Sequence, residues 1–201
     1  MNFMLMDRDG VINKDPGGWT KYDYVTAWRD FHFLPGSLEA LKLLRKKDIR
    51  VIVLSNQAGV GRGYFTKREL DELTAKMKDA VNKYGGEIED VYYCVHKPED
   101  GCGCRKPKTG LFDKAEREHG IDLRNTYYVG DVSGDIIAGR AAGCRTIFVS
   151  SGKTPRAEME KWGDKPDYVF DDLLGAVRWL VEKENRRSRR REERKREGKR
   201  R

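Results

Sequence analysis

Two aspartates one residue apart, Asp7 and Asp9 in Asp7-Arg8-Asp9-Gly10-Val11, follow directly on the apolar run Phe3-Met4-Leu5-Met6. Side chains at i and i+2 of an extended chain point the same way, so a short buried strand opening into a loop here presents both carboxylates together. Gly10 allows a sharp turn beneath whatever they hold. Such a pair suits a nucleophile and a proton-transfer partner. Two other readings compete, a solvated turn and the start of a calcium loop. The calcium loop fits poorly, because it continues with oxygen ligands at alternate positions and closes on Glu, whereas Val11-Ile12 is apolar.

Three further stretches bear on the choice. Ile49 to Leu54 is apolar and β-branched and runs into Ser55-Asn56-Gln57. Thr126 to Val129 runs into Gly130-Asp131, with Asp135 one helical turn on, and Lys106 lies between them in Cys104-Arg105-Lys106-Pro107. In an open α/β sheet ligands bind beyond the carboxyl ends of the strands, so these tips are expected to converge on one crevice. Singly, Ser55 reads equally well as a helix N-cap, Asp131 as a turn residue and Lys106 as a surface charge. Their joint order on strand tips favours a site. Crowded carboxylates take up protons unless a cation lies among them, and hard oxygen ligands with room for water and phosphate favour Mg²⁺.

Cys94-Val95-His96 and Cys102-Gly103-Cys104 offer three thiols and an imidazole, enough for one closed tetrahedral Zn²⁺ site. A closed shell leaves no place for substrate, so its expected role is structural, holding Arg105 and Lys106 in place. A disulfide or free thiols are the alternatives. No signal peptide is evident at the start of the sequence, so a reducing cytoplasm is expected and disulfides are not. Cys144, in Ala-Ala-Gly-Cys, reads as a small buried apolar residue.

The motifs, in order, resemble those of the haloacid dehalogenase (HAD) superfamily of phosphohydrolases. Asp7 to Asn13 is similar to the first, Ser55-Asn56-Gln57 to the second, Lys106 to the third, and Gly130-Asp131 to Asp135 to the fourth. Within the superfamily the chain resembles the branch holding the D-glycero-D-manno-heptose-1,7-bisphosphate 7-phosphatases and the histidinol-phosphatases. The resemblance implies Asp7 as nucleophile, Asp9 as acid and base, and Mg²⁺ held by Asp7, the backbone carbonyl of Asp9 and Asp131. It further implies phosphate and substrate contacts from Ser55, Asn56, Gln57, Arg105 and Lys106, with Asp135 in support. Zn²⁺ would be held by Cys94, His96, Cys102 and Cys104. Asn56 to Gly63 looks like the heptose enzymes, while the short gap from His96 to Cys102 looks like the histidinol-phosphate branch. An ammonium-bearing substrate would want a carboxylate from Asp15, Asp23 or Asp30. The heptose bisphosphate is the expected substrate, a small phosphorylated metabolite.

The elements that must position these residues alternate. Leu38, Leu41 and Leu44 follow Pro35-Gly36-Ser37 at helical steps. Thr66 to Glu69 has the form of a capping box ahead of Leu70, Leu73, Met77 and Val81. Val91 to Val95 reads as a strand, 109–119 and Ser133 to Ala142 as helices, and Arg145 to Val149 and Tyr168 to Phe170 as outer strands. This predicts an α/β, Rossmann-like parallel sheet wrapped on both faces. Residues 13–32, with Trp19, Tyr22, Tyr24 and Trp28, are too few for a cap domain, so an open cleft is expected. Gly59 to Gly63 lacks dinucleotide-loop spacing and is expected to carry Arg62 toward the cleft.

Residues 183–201 hold twelve Lys or Arg and four Glu, which out of 41 basic and 33 acidic residues leaves 29 of each sign in residues 1–182. The chain therefore divides into a phosphatase domain, 1–182, and a basic tail, 183–201, either a helix extension or disordered. A nucleic-acid 3′-end phosphatase or a tail-mediated binder of nucleic acid is the competing class. The neutral body and the lack of aromatics after Trp179 speak against it. No apolar run is long enough to span a bilayer, and a soluble cytoplasmic monomer is expected.

Overall fold

The computed structural model describes residues 2–198, and the side chains of residues 2–187. Six strands form one parallel sheet: β1 (Phe3–Met6), β2 (Arg50–Asn56), β3 (Asp90–Cys94), β4 (Tyr127–Gly130), β5 (Arg145–Val149) and β6 (Tyr168–Phe170). Their order is β3-β2-β1-β4-β5-β6. The connection reverses direction at β1, which pairs with β2 on one side and β4 on the other. That switch point is where an open parallel sheet leaves a crevice at its carboxyl end. The edges are β3 and β6, so of the two strands expected outermost, β5 lies one place in.

The strands are apolar on both sides because both sides are covered. Met4, Met6, Val51, Val53, Val129 and Ile147 face α1 (Ser37–Arg45), α2 (Lys67–Tyr84) and α6 (Leu173–Gly198). Leu5, Ile52, Leu54, Tyr92, Cys94 and Tyr128 face the opposite layer, led by α3 (Gly110–His119) and α4 (Ser133–Ala141). Ile136, Phe148 and Met159 of the short α5 (Arg156–Met159) close that layer beside β5. Cys144 is buried in the α3 side as a packing residue, and burial pushes its thiol up to about 12.

The capping box at α2 forms: Thr66 Oγ1 accepts from the Glu69 amide at 3.2 Å and Glu69 accepts from the Thr66 amide at 2.7 Å. Such a cap contributes about 1 kcal/mol. Residues 13–32 hold only a 3₁₀ turn, Trp28–Asp30, and form no cap domain. Helix α6 crosses the boundary drawn at 182, and Lys47 Nζ donates to its Asn185 Oδ1 at 3.1 Å. Residues 199–201 of the expected tail lie outside the described residues. None of the described helices is long and apolar enough to cross a membrane.

Candidate active site

Asp7 is the first residue beyond β1, and its amide donates to Val129 O of β4 at 2.9 Å. The side chain therefore stands over the switch point. Lys106 arrives from the loop before α3, buried, with Nζ 3.0 Å from Asp7 Oδ2 and 2.7 Å from Asp135 Oδ1. Tyr128, on β4, completes the nest: Lys106 Nζ donates to its hydroxyl at 2.6 Å, and that hydroxyl donates to Asp135 Oδ1 at 3.2 Å. Asp135 Oδ2 accepts from the amides of Asp131 and Val132 at 3.2 and 3.4 Å, tying the start of α4 to the tip of β4. Asp135 thus orients Lys106 and the backbone around Asp131.

Space around these acids is defined by glycines. A Cβ on Gly130 would lie 2.2 Å from the Asp135 Cβ, and one on Gly152 would lie 2.2 Å from Asp131 Oδ2. Gly10, at φ +79°, leaves room for Asp131 from the opposite side. The Lys153 amide donates to Asp131 Oδ2 at 2.7 Å and Ser151 Oγ to Gly10 O at 3.0 Å, so the segment after β5 is sewn to the β1 and β4 tips.

Asp7, Asp131 and Asp135 are buried with oxygens within 4.8 Å of one another. Burial pushes Asp7 up to about 6; Lys106 pulls it down, and Asp135 and Asp9 push it further up. Asp131 is raised well above the carboxylate range by burial and by Asp135 and Asp7. Burial alone would lower Lys106, but Asp135 and Asp7 outweigh it and the net shift is upward. Three carboxylates against one ammonium leave two negative charges, which one divalent cation matches. Hard oxygens at a strand tip suit Mg²⁺.

The cleft above the nest has a volume of about 260 Å³, and Asp7, Asp9, Ser55, Asn56, Arg105, Lys106, Asp131 and Asp135 all line it. Ser55 and Asn56 end β2. The Asn56 side chain is spent as a clamp: Oδ1 accepts from the Lys106 amide and Nδ2 donates to the Lys106 carbonyl, both at 3.1 Å. Gln57 departs from its expected place at the substrate. It is fully buried, outside the cleft, with Nε2 donating to Asp9 Oδ2 at 2.7 Å and to Ser55 Oγ at 3.2 Å. Arg105 is at the cleft with its Nη1 buried and without a partner among the described residues.

Of the loop carboxylates, Asp15 and Asp23 line the cleft and Asp30 does not. Tyr24 lines it too, whereas Trp28 stacks on Phe31, Tyr22 on Tyr64, and Trp19 leans on His32. Arg62 is not carried to the cleft; it pairs with Glu99 at 3.7 Å. Gly61 serves close packing instead, since a Cβ there would lie 2.5 Å from Val95 O. Lys153 and Tyr128 were not foreseen. Lys153 follows the tip of β5, where the same strand-end rule points.

Cys94, His96, Cys102 and Cys104 gather beside the cleft. Their sulfurs are 3.2 to 3.6 Å apart, and His96 Nδ1 is 3.2 Å from Cys104 Sγ and 3.7 Å from Cys94 Sγ. These separations exceed a disulfide bond, and all four cysteines of the chain are free. Three thiol sulfurs and an imidazole nitrogen, all within 4.8 Å of one another, fit a zinc-type ion.

An aspartate, a serine, a buried lysine and paired acids on the tips of a parallel sheet make up a site of the HAD phosphohydrolase type. A family model described as HAD-hydrolase-like matches residues 103–176. The D-glycero-beta-D-manno-heptose-1,7-bisphosphate 7-phosphatase of Pseudomonas putida is 35% identical over 181 residues, covering 90% of this chain and 100% of that one. That of Haemophilus ducreyi is 37% identical over 185 residues, covering 88% and 97%. The crystal structure of D,D-heptose 1,7-bisphosphate phosphatase from B. bronchiseptica, complexed with magnesium and phosphate, superposes with a TM-score of 0.83 at 33% identity over 91% of this chain and 99% of that one. The chain belongs to the same family of HAD phosphatases as these relatives.

Proposed function

We propose that this protein is a Mg²⁺-dependent phosphomonoester hydrolase that removes the 7-phosphate of D-glycero-D-manno-heptose 1,7-bisphosphate through an aspartyl-phosphate at Asp7. The observation that carries this reading is the buried nest of Asp7, Lys106, Tyr128, Asp131 and Asp135 on the β1 and β4 tips. Asp7 attacks phosphorus as the bond to the leaving oxygen breaks. Asp9 gives that oxygen a proton, then takes one from the water that releases phosphate, so one group serves both half-reactions. Ser55 and Lys106 bind the equatorial oxygens, where charge spreads in the transition state. Arg105, which lines the cleft, receives the second phosphate. Mg²⁺, when bound by Asp7, the Asp9 carbonyl and Asp131, offsets the repulsion between the anionic nucleophile and the anionic substrate. Zn²⁺, when bound by Cys94, His96, Cys102 and Cys104, cross-links the loop that delivers Arg105 and Lys106.

Relatives that match over nearly their whole length carry the heptose name, and histidinol phosphate is correspondingly disfavoured. The test is a panel of heptose 1,7-bisphosphate, histidinol phosphate and a 3′-phosphorylated oligonucleotide with Mg²⁺, run on the wild type and Asp7→Asn. The expected result is highest kcat/KM on the heptose bisphosphate and a loss of about 10³-fold or more in Asp7→Asn. Full activity in Asp7→Asn would end the scheme.

A further inference from the structure

Arg8 separates the two site aspartates in sequence, yet its side chain is the largest fully buried one among the described residues. A guanidinium cannot shed its proton in a protein, and burying one is costly unless it is paired. Its partner is its neighbour: Nη2 donates to Asp9 Oδ1 at 3.0 Å and to Oδ2 at 2.9 Å, and Nε donates to Oδ1 at 3.3 Å. Nη1 is buried without a partner among the described residues. Among the described residues the fork is aimed chiefly at Asp9, with the Tyr93 side chain as its other polar neighbour.

Behind it the guanidinium is braced by rigid elements. Its carbon lies 5.7 Å from the centroid of the Tyr93 ring on β3, and the Tyr93 hydroxyl is 2.9 Å from Thr74 Oγ1 on α2. Asn13 Nδ2 donates to Asp9 Oδ1 at 2.8 Å and Gln57 Nε2 to Oδ2 at 2.7 Å. Arg8, Asn13 and Gln57 all stand outside the cleft that Asp9 lines. Three residues that cannot touch a substrate thus fix the direction of one that can.

We propose that Arg8 is the positioning residue of Asp9, holding its carboxyl in the one orientation from which it exchanges a proton with the leaving oxygen. The proposal rests on the reading of Asp9 as acid and base. An aspartate side chain left alone samples several staggered rotamers, and proton transfer needs hydrogen-bond reach to the reacting oxygen. The planar fork of arginine restricts that choice more than a lysine ammonium does. In the first half-reaction the Asp7 oxygen bonds to phosphorus, the phosphorus to leaving-oxygen bond breaks, and the Asp9 proton passes to that oxygen, leaving the Asp9 carboxylate against Arg8. In the second, water adds to phosphorus, its proton returns to Asp9, and Asp7 departs as carboxylate with inorganic phosphate released.

The leaving group makes this testable, since kcat/KM reports only the first phosphoryl transfer. 4-Nitrophenyl phosphate expels a stabilised phenolate that needs no proton; glucose 6-phosphate expels an alkoxide that does. Arg8→Lys keeps the charge and loses the fork. It is expected to lower kcat/KM on the alkyl ester about 100-fold while the aryl ester stays within about threefold. In an Asp9→Asn background the same substitution should add no further change in the alkyl-to-aryl ratio. Equal losses on both esters, or no loss on either, would overturn the proposal. If Arg8→Lys melts below the assay temperature, Asn13→Ser is read the same way, with a smaller selective loss expected and an unselective one or none overturning it. A wild type that cleaves neither these esters nor heptose 1,7-bisphosphate removes the phosphatase reading itself, and this one with it. Where it cleaves only the heptose bisphosphate, the 7-phosphate takes the place of the alkyl ester, and a loss in Arg8→Lys that falls on turnover and not on substrate binding is still required.

Discussion

Asp7 and Asp131 are raised because burial strips them of water and sets them against each other and against the Asp135 carboxylate, with Lys106 the cation that the described residues place in the nest. The sign of the pH effect follows. Asp7 sits at about 6 in the fold against an ordinary 3.8, so between these values the unfolded chain has lost a proton that the metal-free fold still keeps. Stability from this group is therefore full below about pH 4, falls as pH rises, and is gone above about pH 6, a loss of about 3 kcal/mol. Asp131 is displaced in the same direction. A divalent cation competes with these protons and restores the balance, so its benefit grows as they leave. Excess Mg²⁺ is expected to raise Tm little near about pH 4.5 and by several degrees near about pH 7.5. Thermal melts with and without the ion check this, and an equal gain at both values would show that the nest is not the ion's site.

The Cys94 to Cys104 loop does at the scale of an element what Asp135 does at the scale of a residue: it sets where Lys106 can be. Without a metal, burial pushes the Cys94 thiol up to about 12, so loading an ion there must displace a proton. The clamp between Asn56 and the Lys106 backbone holds the loop to β2 from the other end. Removing zinc with a chelator and then resupplying Mg²⁺ alone is expected to lower Tm and cut kcat/KM about 10-fold to 100-fold. Metal analysis should return one zinc per chain, and Cys102→Ser should reproduce both losses. Strands and helices were readable from periodicity because each strand is covered on both faces and each helix on one. The motif acids were readable because strand tips in a parallel sheet converge. Gln57 was misplaced because its neighbours Ser55 and Asn56 share its motif, while its own amide turns inward to Asp9. Tyr128 looked like any strand aromatic, since nothing in its spacing says that its hydroxyl meets Lys106. Such contacts depend on side-chain reach across elements, which one-dimensional spacing does not carry.

For the whole molecule, a crevice open at the switch point is bordered by the 13–32 loop, which contributes Asp15, Asp23 and Tyr24 without covering it. A site this open suits a small substrate whose phosphate is exposed. The charge map separates this body from α6, whose continuation carries the entire net charge of +8 in residues 183–201. Among the described side chains of α6, Leu173, Ala176, Val177 and Leu180 are buried, and Lys47 reaches Asn185. Beyond it the sequence offers no apolar residue to bury, so the fold gains nothing hydrophobic from residues 188–201. Deleting them is expected to leave kcat/KM on the heptose bisphosphate within about twofold and Tm nearly unchanged. The competing class predicts otherwise. A protein whose work depends on the tail would bind a nucleic acid with steep salt dependence and lose that affinity on truncation. Turnover of the truncated chain, read beside its salt-dependent retention of a duplex oligonucleotide, decides between an enzyme with a solvated helix end and a binder with a phosphatase body.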